Sequence, residues 1–431
     1  MNLYGVGGLP VLHSKTPLIH RYLLSRGGSL SVRVGAATAE ELARLIRGAG
    51  FQGLNVTAPF KRSLIPFLDG LDASASVVGA VNTVVNEGGR LTGFNTDPEG
   101  LLYALRRKGM DPAGLRALVL GAGGAGRAAV AALSRSGGRI TIANRTDKTA
   151  EECAADFRCD WIPFARWKER LDSFDLLVNT VPLPDAEAGK AALPPGLAVL
   201  DALYADRPFA GAARRRGCRY IPGEEWLYGQ ALASCRLWNG SGPDRDGPPE
   251  RIFRPVFPPA KTRRIALVGI MGAGKSTIGR LLAGRLNLPL LETDDMVVQS
   301  EGLGIPEIFR KRGEEAFRAA EARALEAAVR APAGVLAPGG GIILRPENRA
   351  ALRRNALVVW IHVSPEAAWK RISNSDRPLV SDRTGRDTFT ALCRERRALY
   401  AATADLAVDG EKTPELIARH IHDHVHQAIK N

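Results

Sequence analysis

The 431-residue sequence is poor in cysteine, aromatics and lysine. Its five cysteines (Cys153, Cys159, Cys218, Cys235 and Cys393) are odd in number and show no Cys-x-x-Cys spacing. A disulfide framework or a zinc ribbon is therefore not expected, and buried or free thiols in a reducing cytoplasm are. Aromatics make up 6% of the chain and the basic residues form no stripe, so no nucleic-acid surface is expected. No run approaches the roughly 20 apolar residues that span a bilayer. Nor does a charged lead precede a long apolar run near Met1, so neither a membrane anchor nor a signal peptide is expected. Only 12 of the 59 basic residues are lysine, which makes each well-placed lysine informative. What is present is ordinary globular material, 45% hydrophobic and 24% charged. The net charge of +14 is read as suiting small anionic substrates. At roughly 150 residues per domain the length suggests two or three domains.

The clearest break is Gly240 to Ala260, with six prolines and three glycines in 21 residues, a density that neither a helix nor a central strand tolerates. Beyond this linker (241–260), Ile265–Val268 reads as a strand and Thr277–Leu286 as a helix. Between them Gly269-Ile270-Met271-Gly272-Ala273-Gly274-Lys275-Ser276 fits G-x-x-x-x-G-K-[ST] in its proper setting. Glycines there let successive N–H groups turn inward around phosphates, aided by the helix N-terminus. Lys275 is placed to reach the β/γ-phosphates of ATP and Ser276 to ligate Mg²⁺. Glu292-Thr293-Asp294-Asp295 then sets acids after a short apolar strand. Glu315 to Arg318, Gly339-Gly340-Gly341, Asp376-Arg377-Pro378-Leu379 and Glu395 to Tyr400 follow in order.

Across 262–428 this set resembles shikimate kinase. The resemblance implies that Asp294 stands beside the acceptor hydroxyl, where it can orient it or take its proton. It implies that Arg318 and Arg396 grip the substrate carboxylate, a task suited to the planar guanidinium fork. Gly339, Gly340 and Gly341 are then substrate-binding backbone. Arg377 is the lid arginine over the phosphates, and Arg371 stacks on adenine at a spacing one residue short of the family's. Gly272, Gly274, Lys275, Ser276 and Thr277 hold the nucleotide. Glu292 stands where the family usually has Asp helping to hold hydrated Mg²⁺, so altered metal affinity rather than its loss is expected.

In the first half, Gly121-Ala122-Gly123-Gly124-Ala125-Gly126 lies between the strand Ala117–Leu120 and a helical stretch, Arg127–Leu133. This is G-x-G-x-x-G in the setting that places a pyrophosphate on a helix N-terminus. The next strand ends in Asn144-Arg145-Thr146. A basic residue where an NAD enzyme usually carries an acid favours a 2′-phosphate, hence NADP(H). Upstream, His13 to Pro17, Asn55 to Lys61, Gly79 to Thr83 and Asn95 to Asp97 bring hydroxyls and amides that can read a polyol. Lys61 and Asp97 form the natural proton-handling pair for ketone reduction, an ammonium facing the developing charge and a carboxylate orienting it.

These segments resemble shikimate dehydrogenase over 1–240. The resemblance implies substrate contacts from Ser14, Thr16, Asn55, Thr57, Asn82, Asp97, Tyr204 and Gln230, with Lys61 as the catalytic lysine. It also implies that Asn144, Arg145 and Thr146 form the NADP motif. Thr16 replaces a usual Ser, the segment between His20 and Thr38 is short, and Pro184-Asp185 replaces a usual Gly-Met pair near the nicotinamide.

The expected fold class is α/β throughout. Four segments are expected in order: a substrate-binding domain (1–100), a Rossmann NADP-binding domain (101–240), the linker, and a P-loop kinase domain (261–431) with a parallel sheet flanked by helices. The expected function is NADPH-dependent reduction of 3-dehydroshikimate followed by MgATP-dependent phosphorylation of shikimate. Small-molecule substrates, a cytoplasmic location, no nucleic-acid or membrane partner, and homo-oligomer formation through the dehydrogenase half complete the expectation. Two alternatives stand beside it, quinate/shikimate dehydrogenase activity in the first half, and a degenerate first half regulating the kinase. Arg214-Arg215-Arg216 reads as a surface helix end. His420, His422, His424 and His426 read as a solvated terminal helix.

Overall fold

The structure, a computed structural model, describes residues 2–24, 28–204, 207–240, 247–249, 252, 261, 263–373 and 385–430. Most of the expected linker, and Arg377, lie outside the described residues. The strands of the first half are β1 (Leu3–Gly8), β2 (Leu30–Gly35), β3 (Gly53–Val56), β4 (Gly70–Leu71), β5 (Thr83–Glu87), β6 (Arg90–Phe94), β7 (Arg116–Leu120), β8 (Arg139–Ala143), β9 (Asp160–Trp161), β10 (Leu176–Asn179), β11 (Ala198–Asp201) and β12 (Arg219–Pro222). The second half adds β13 (Arg264–Val268), β14 (Leu290–Glu292), β15 (Gly334–Ala337), β16 (Leu357–His362) and β17 (Leu406–Asp409).

Compactness groups these elements by contact rather than by chain order. One unit draws together Met1–Pro17, Arg26–Phe60 and Pro255–Asn431; the other holds Leu18–Ser25 and Lys61–Arg254.

In the first unit the strands run β14-β15-β13-β16-β17-β2-β1-β3. Every pairing in that series is parallel. Parallel strands are covered on both faces and read as continuous apolar runs. Leu357-Val358-Val359-Trp360-Ile361 does so, and all five are buried. The P-loop strand β13 is central, between β15 and β16. The strand β17 of the second half pairs directly with β2 from the N-terminal segment, Leu406 opposite Arg33, Ala407 opposite Val34 and Val408 opposite Gly35. Arg44 and Asp409 form an ion pair beside this seam.

In the second unit a six-stranded parallel sheet runs β12-β11-β10-β7-β8-β9. The chain order reverses between β7 and β10, the switch point where open α/β sheets bind ligands. The helix Gly124–Arg135 packs Ala129, Val130 and Leu133 into a core with Val119, Ile142 and Val178. Beside this sheet β5 pairs antiparallel with β6, and β6 pairs parallel with β4.

The terminal helix Pro414–Lys430 corrects one expectation. Its histidines are not uniformly solvated: His426 is exposed, but His424 is fully buried. Ile417, Ala418, Ile421 and Val425 form the buried stripe of this helix, and the i, i+4 spacing carries His420 and His424 inward with it. Burial, then the neighbouring His420 and His13, push His424 down to about 3, so its ring is neutral near pH 7. Arg214, Arg215 and Arg216 are exposed at the end of the helix Ala210–Arg215, as expected. Cys153, Cys218 and Cys235 are buried free thiols, each pushed up by burial. No helix among the described residues is long and apolar enough to cross a membrane.

Candidate active sites

In the second unit, Lys61 begins just after the turn that follows β3, and Asp97 opens the helix Asp97–Arg107. Their side chains form an ion pair, with the ammonium about a fifth exposed and the carboxylate almost buried. Asn82 locks that carboxylate. Its amide nitrogen donates to Asp97 Oδ1 at 2.8 Å, to Thr96 Oγ1 at 3.0 Å and to Gln230 Oε1 at 3.3 Å. Its amide oxygen accepts the Thr96 N–H at 2.7 Å. Asn95 Oδ1 accepts the Asp97 N–H at 3.1 Å, and the Trp226 indole donates to the Asp97 carbonyl at 2.8 Å. One carboxylate oxygen is thus held by an amide while the other faces Lys61, so the lysine's position is fixed from behind. Ser234, which the sequence did not single out, joins the network at 2.8 Å from Thr83 Oγ1 and 3.0 Å from Thr96 Oγ1.

The glycine turn after β7 lies against the same lysine. A Cβ on Gly124 would meet Lys61 Cδ at 3.1 Å. Gly126 has no room for a side chain, since its Cβ would overlap the Gly121 carbonyl, with the carbonyl carbon at 2.7 Å. Gly121 has φ +107°, a value suited to glycine, and faces Thr180 and Val181. Gly123 caps the helix Gly124–Arg135 without a side-chain hydrogen bond and meets nothing within 4 Å on its Cβ side. The first-turn N–H groups are thereby open to an anion. Asn144 braces the turn, its Oδ1 accepting the Ala122 N–H at 3.2 Å and its amide donating to the Thr146 carbonyl at 3.1 Å. Arg145 and Thr146 are exposed at the end of β8. These residues fit a dinucleotide carrying a 2′-phosphate. The altered loop after β10 is anchored, with Val181 and Leu183 buried in the core beside Leu120 and Val199. Tyr204 is half-buried near β11, and Gln230 donates to the Leu227 carbonyl at 2.9 Å.

In the first unit, Ser14, Thr16 and Asn55 are buried and Thr57 is half-buried. Ser14 Oγ donates to Thr16 Oγ1 at 3.2 Å. The Ser14 carbonyl accepts two bonds from the buried Arg33 guanidinium, at 2.6 and 3.0 Å. Thr57 closes the β3 turn, its N–H donating to the Gly7 carbonyl at 2.9 Å.

The P-loop of the same unit turns on Gly272 and Gly274, both at φ +82°. Lys275 Nζ donates to the carbonyls of Gly269 at 2.9 Å and Ile270 at 3.3 Å. A cavity of about 300 Å³ opens beside it, lined among others by Ser276, Thr277, Glu292, Asp294, Gly339 and Gly340. A hydroxyl and two carboxylates facing a phosphate cradle suit hydrated Mg²⁺ with a nucleotide. Arg371 also lines the cavity, where its guanidinium donates to the carbonyls of Gly272 at 3.1 Å and Gly410 at 3.0 Å.

The run Gly339–Gly341 threads between charged groups. A Cβ on Gly339 would meet Glu321 Oε1 at 2.7 Å and Asp294 Oδ1 at 3.0 Å, and one on Gly341 would overlap the Arg318 guanidinium. Tyr400 donates to the Gly340 carbonyl at 2.7 Å. Arg318 is held by Glu321 at 2.9 Å and Glu314 at 3.1 Å. Glu321 is the residue the sequence reading missed. It is 1% exposed, and burial pushes its carboxyl up against the opposing pull of Arg318. Its signal was available, since it lies three residues after Arg318 on one helix. Two buried atoms, Glu321 Oε1 and Arg396 Nε, have no hydrogen-bond partner among the described residues. An acceptor and a cationic donor left open suit a ligand bearing both hydroxyl and carboxylate groups.

The chain therefore combines a Rossmann dinucleotide fold carrying a lysine–aspartate pair with a P-loop nucleotide-binding fold. Family models match "Shikimate dehydrogenase substrate binding domain" over 6–84, "Shikimate / quinate 5-dehydrogenase" over 104–187 and "Shikimate kinase" over 271–426. A shikimate dehydrogenase (NADP(+)) of Moorella thermoacetica is 40% identical over 258 residues, covering 54% of this chain and 86% of that protein. Its counterpart in Rubrobacter xylanophilus is 40% identical over 267 residues, covering 56% and 92%. Among solved structures, a shikimate 5-dehydrogenase from Thermus thermophilus in complex with NADP(H) and shikimate has a TM-score of 0.51 and 34% identity, covering 57% of this chain and 95% of that one. One from Aquifex aeolicus has a TM-score of 0.54 and 29% identity, covering 59% and 96%. The chain belongs to the shikimate dehydrogenase family, fused to a shikimate kinase second half.

Proposed function

We propose that this chain is a bifunctional enzyme of the shikimate pathway, reducing 3-dehydroshikimate to shikimate and then phosphorylating shikimate at its 3-hydroxyl. The observation that carries the reading is that both family matches, made to separate segments, concern the same cyclic hydroxy acid.

In the reductase, NADPH supplies a hydride to the ketone carbon when bound. Gly121, Gly123, Gly124, Gly126, Asn144, Arg145 and Thr146 hold that cofactor. Lys61 donates a proton to the oxygen that gains charge, and Asp97, held by Asn82, keeps the ammonium aimed. Ser14, Thr16, Asn55, Thr57, Asn82, Tyr204 and Gln230 read the hydroxyl and carboxylate groups.

In the kinase, MgATP supplies the phosphoryl group. Gly272, Gly274, Lys275, Ser276 and Thr277 cradle it, with Ser276 and Glu292 toward the metal and Arg371 bracing the P-loop from Gly272. Asp294 orients the acceptor hydroxyl and takes its proton. Arg318 and Arg396 grip the carboxylate against Gly339–Gly341, and Glu321 accepts from a ring hydroxyl. Arg377 is assigned to the lid over the phosphates. The functional division is 1–100, 101–240, the 241–260 linker and 261–431, in a cytoplasmic enzyme that forms a homo-oligomer through its dehydrogenase half.

The test is one preparation assayed with dehydroshikimate, NADPH and MgATP, every product being followed. Lys61→Ala is expected to cut reduction by about 10²–10⁴-fold and spare phosphorylation of added shikimate. Lys275→Ala is expected to do the reverse. Loss of both activities in either variant, or retention of the targeted one, refutes the assignment.

A further inference from the structure

The loop between β1 and the helix Thr16–Leu23 carries Ser14, and the protein holds this loop from two directions. From β2, Arg33 donates twice to the Ser14 carbonyl, at 2.6 and 3.0 Å. From the last helix of the kinase, His424 Nδ1 accepts the Val11 N–H at 3.4 Å. The first grip originates at the strand seam, since Arg33 sits opposite Leu406 of the kinase strand β17.

The imidazole is set for this bond. Its Nδ1 accepts from the backbone, so the ring proton resides on Nε2, which lies 3.1 Å from His420 Nε2. The proton is therefore shared toward His420, whose other nitrogen faces Glu41 at 4.0 Å. The ring is also walled in. A Cβ on Gly35, the last residue of β2, would overlap His424 Nε2 and lie 3.0 Å from Cδ2. Only a strand residue without a side chain lets the imidazole pass to the Val11 amide. Glu41 is fixed in turn at the start of its helix, where the N-cap Thr38 Oγ1 accepts the Glu41 N–H at 3.1 Å and the Glu41 carboxylate accepts the Ala37 N–H at 3.3 Å.

We infer that His424, contributed by the kinase half, is a positioning residue for the dehydrogenase reaction: it holds the Val11–Ser14 loop so that Ser14 meets the hydroxy-acid substrate. The inference rests on the assignment of Ser14 to substrate. It makes the kinase's terminal helix a working part of the reductase.

The experiment uses the full chain with three variants. His424→Leu keeps the bulk and removes the acceptor. His424→Asn keeps an acceptor near the Nδ1 position. Ser14→Ala removes the substrate hydroxyl contact. In His424→Leu the dehydrogenase KM for dehydroshikimate is expected to rise about three- to ten-fold, with kcat within about two-fold and kinase constants unchanged. His424→Asn is expected to restore most of the KM. In the Ser14→Ala background, His424→Leu is expected to add little, because both act through one contact, whereas a general loss of stability would add in full. An unchanged KM in His424→Leu while Ser14→Ala raises it overturns the inference and leaves the Ser14 assignment standing. Additive effects, or an Asn variant as impaired as the Leu variant, also overturn it. An unchanged KM in Ser14→Ala overturns that assignment and the inference with it. If His424→Leu does not fold, the Asn variant alone decides, a near-normal KM supporting the role and a raised one refuting it.

Discussion

Replacing Gly341 with alanine puts one methyl group against an arginine assigned to the kinase substrate. The new Cβ would lie 2.7 Å from Arg318 Cζ and 2.8 Å from Nη2, with Nη1 nearer still. Gly341 is not among the glycines at positive φ, so the backbone accepts alanine and the side chain must yield. Ordinary contact requires the guanidinium to retreat by about 1 Å. Such a retreat breaks its bond to Glu321, now 2.9 Å, and loosens that to Glu314, now 3.1 Å. A charge-assisted contact is worth about 1.5–3 kcal/mol, which corresponds to roughly ten- to hundred-fold in affinity. The KM for shikimate is expected to rise by that factor, with the KM for ATP and kcat at saturating shikimate within about three-fold. ADP release measured across a shikimate titration reads this directly, and NADPH oxidation by the same preparation serves as the folding control. An unchanged shikimate KM refutes the placement of Arg318 on the carboxylate. Equal losses toward ATP and shikimate refute the claim that the methyl group acts on Arg318 alone.

Two further outcomes are expected. Arg145→Ala should raise the KM for NADPH about ten-fold while leaving that for NADH nearly unchanged, since only the former carries the 2′-phosphate. An unaltered NADPH/NADH ratio argues against Arg145 as the discriminator. Acid stability should depend on His424, whose folded pKa of about 3 lies below the ordinary 6.5. As pH falls below about 6.5 the unfolded chain takes up a proton that the folded chain refuses, so stability present at neutral pH is lost toward pH 3 at up to about 1.4 kcal/mol per pH unit. His424→Leu lacks that loss, and urea midpoints from pH 7 to pH 5 should fall less steeply in it. Equal slopes would show that the imidazole does not resist protonation in the folded chain.

Both glycine turns were legible because their chemistry is local. Gly126 cannot bear a Cβ against the Gly121 carbonyl, and Gly272 and Gly274 adopt left-handed backbone, so strand–turn–helix context and residue type are dictated together. The grouping of Asn82, Asp97 and Gln230 was legible only through resemblance, since 148 residues separate Asn82 from Gln230. Ser234 carried no local signal, being one more small polar residue on a buried helix. Glu321 was overlooked because a lone carboxylate near an arginine reads as a surface pair until its burial is known. The terminal histidines misled for a related reason: alternation in sequence says nothing about which face a helix turns inward, and the apolar residues between them decided it. The seam between β17 and β2 was illegible, because Leu-Ala-Val-Asp states that a strand is apolar and not which neighbour it takes.

That seam has a consequence for anyone who would divide this protein into two genes. Separating the kinase from the N-terminal segment would bare a row of unpaired amides and carbonyls along β17 and another along β2, each a template for self-association. Severed halves would need new edge protection, such as an inward charge, a proline or a bulge, before either could remain dispersed on its own.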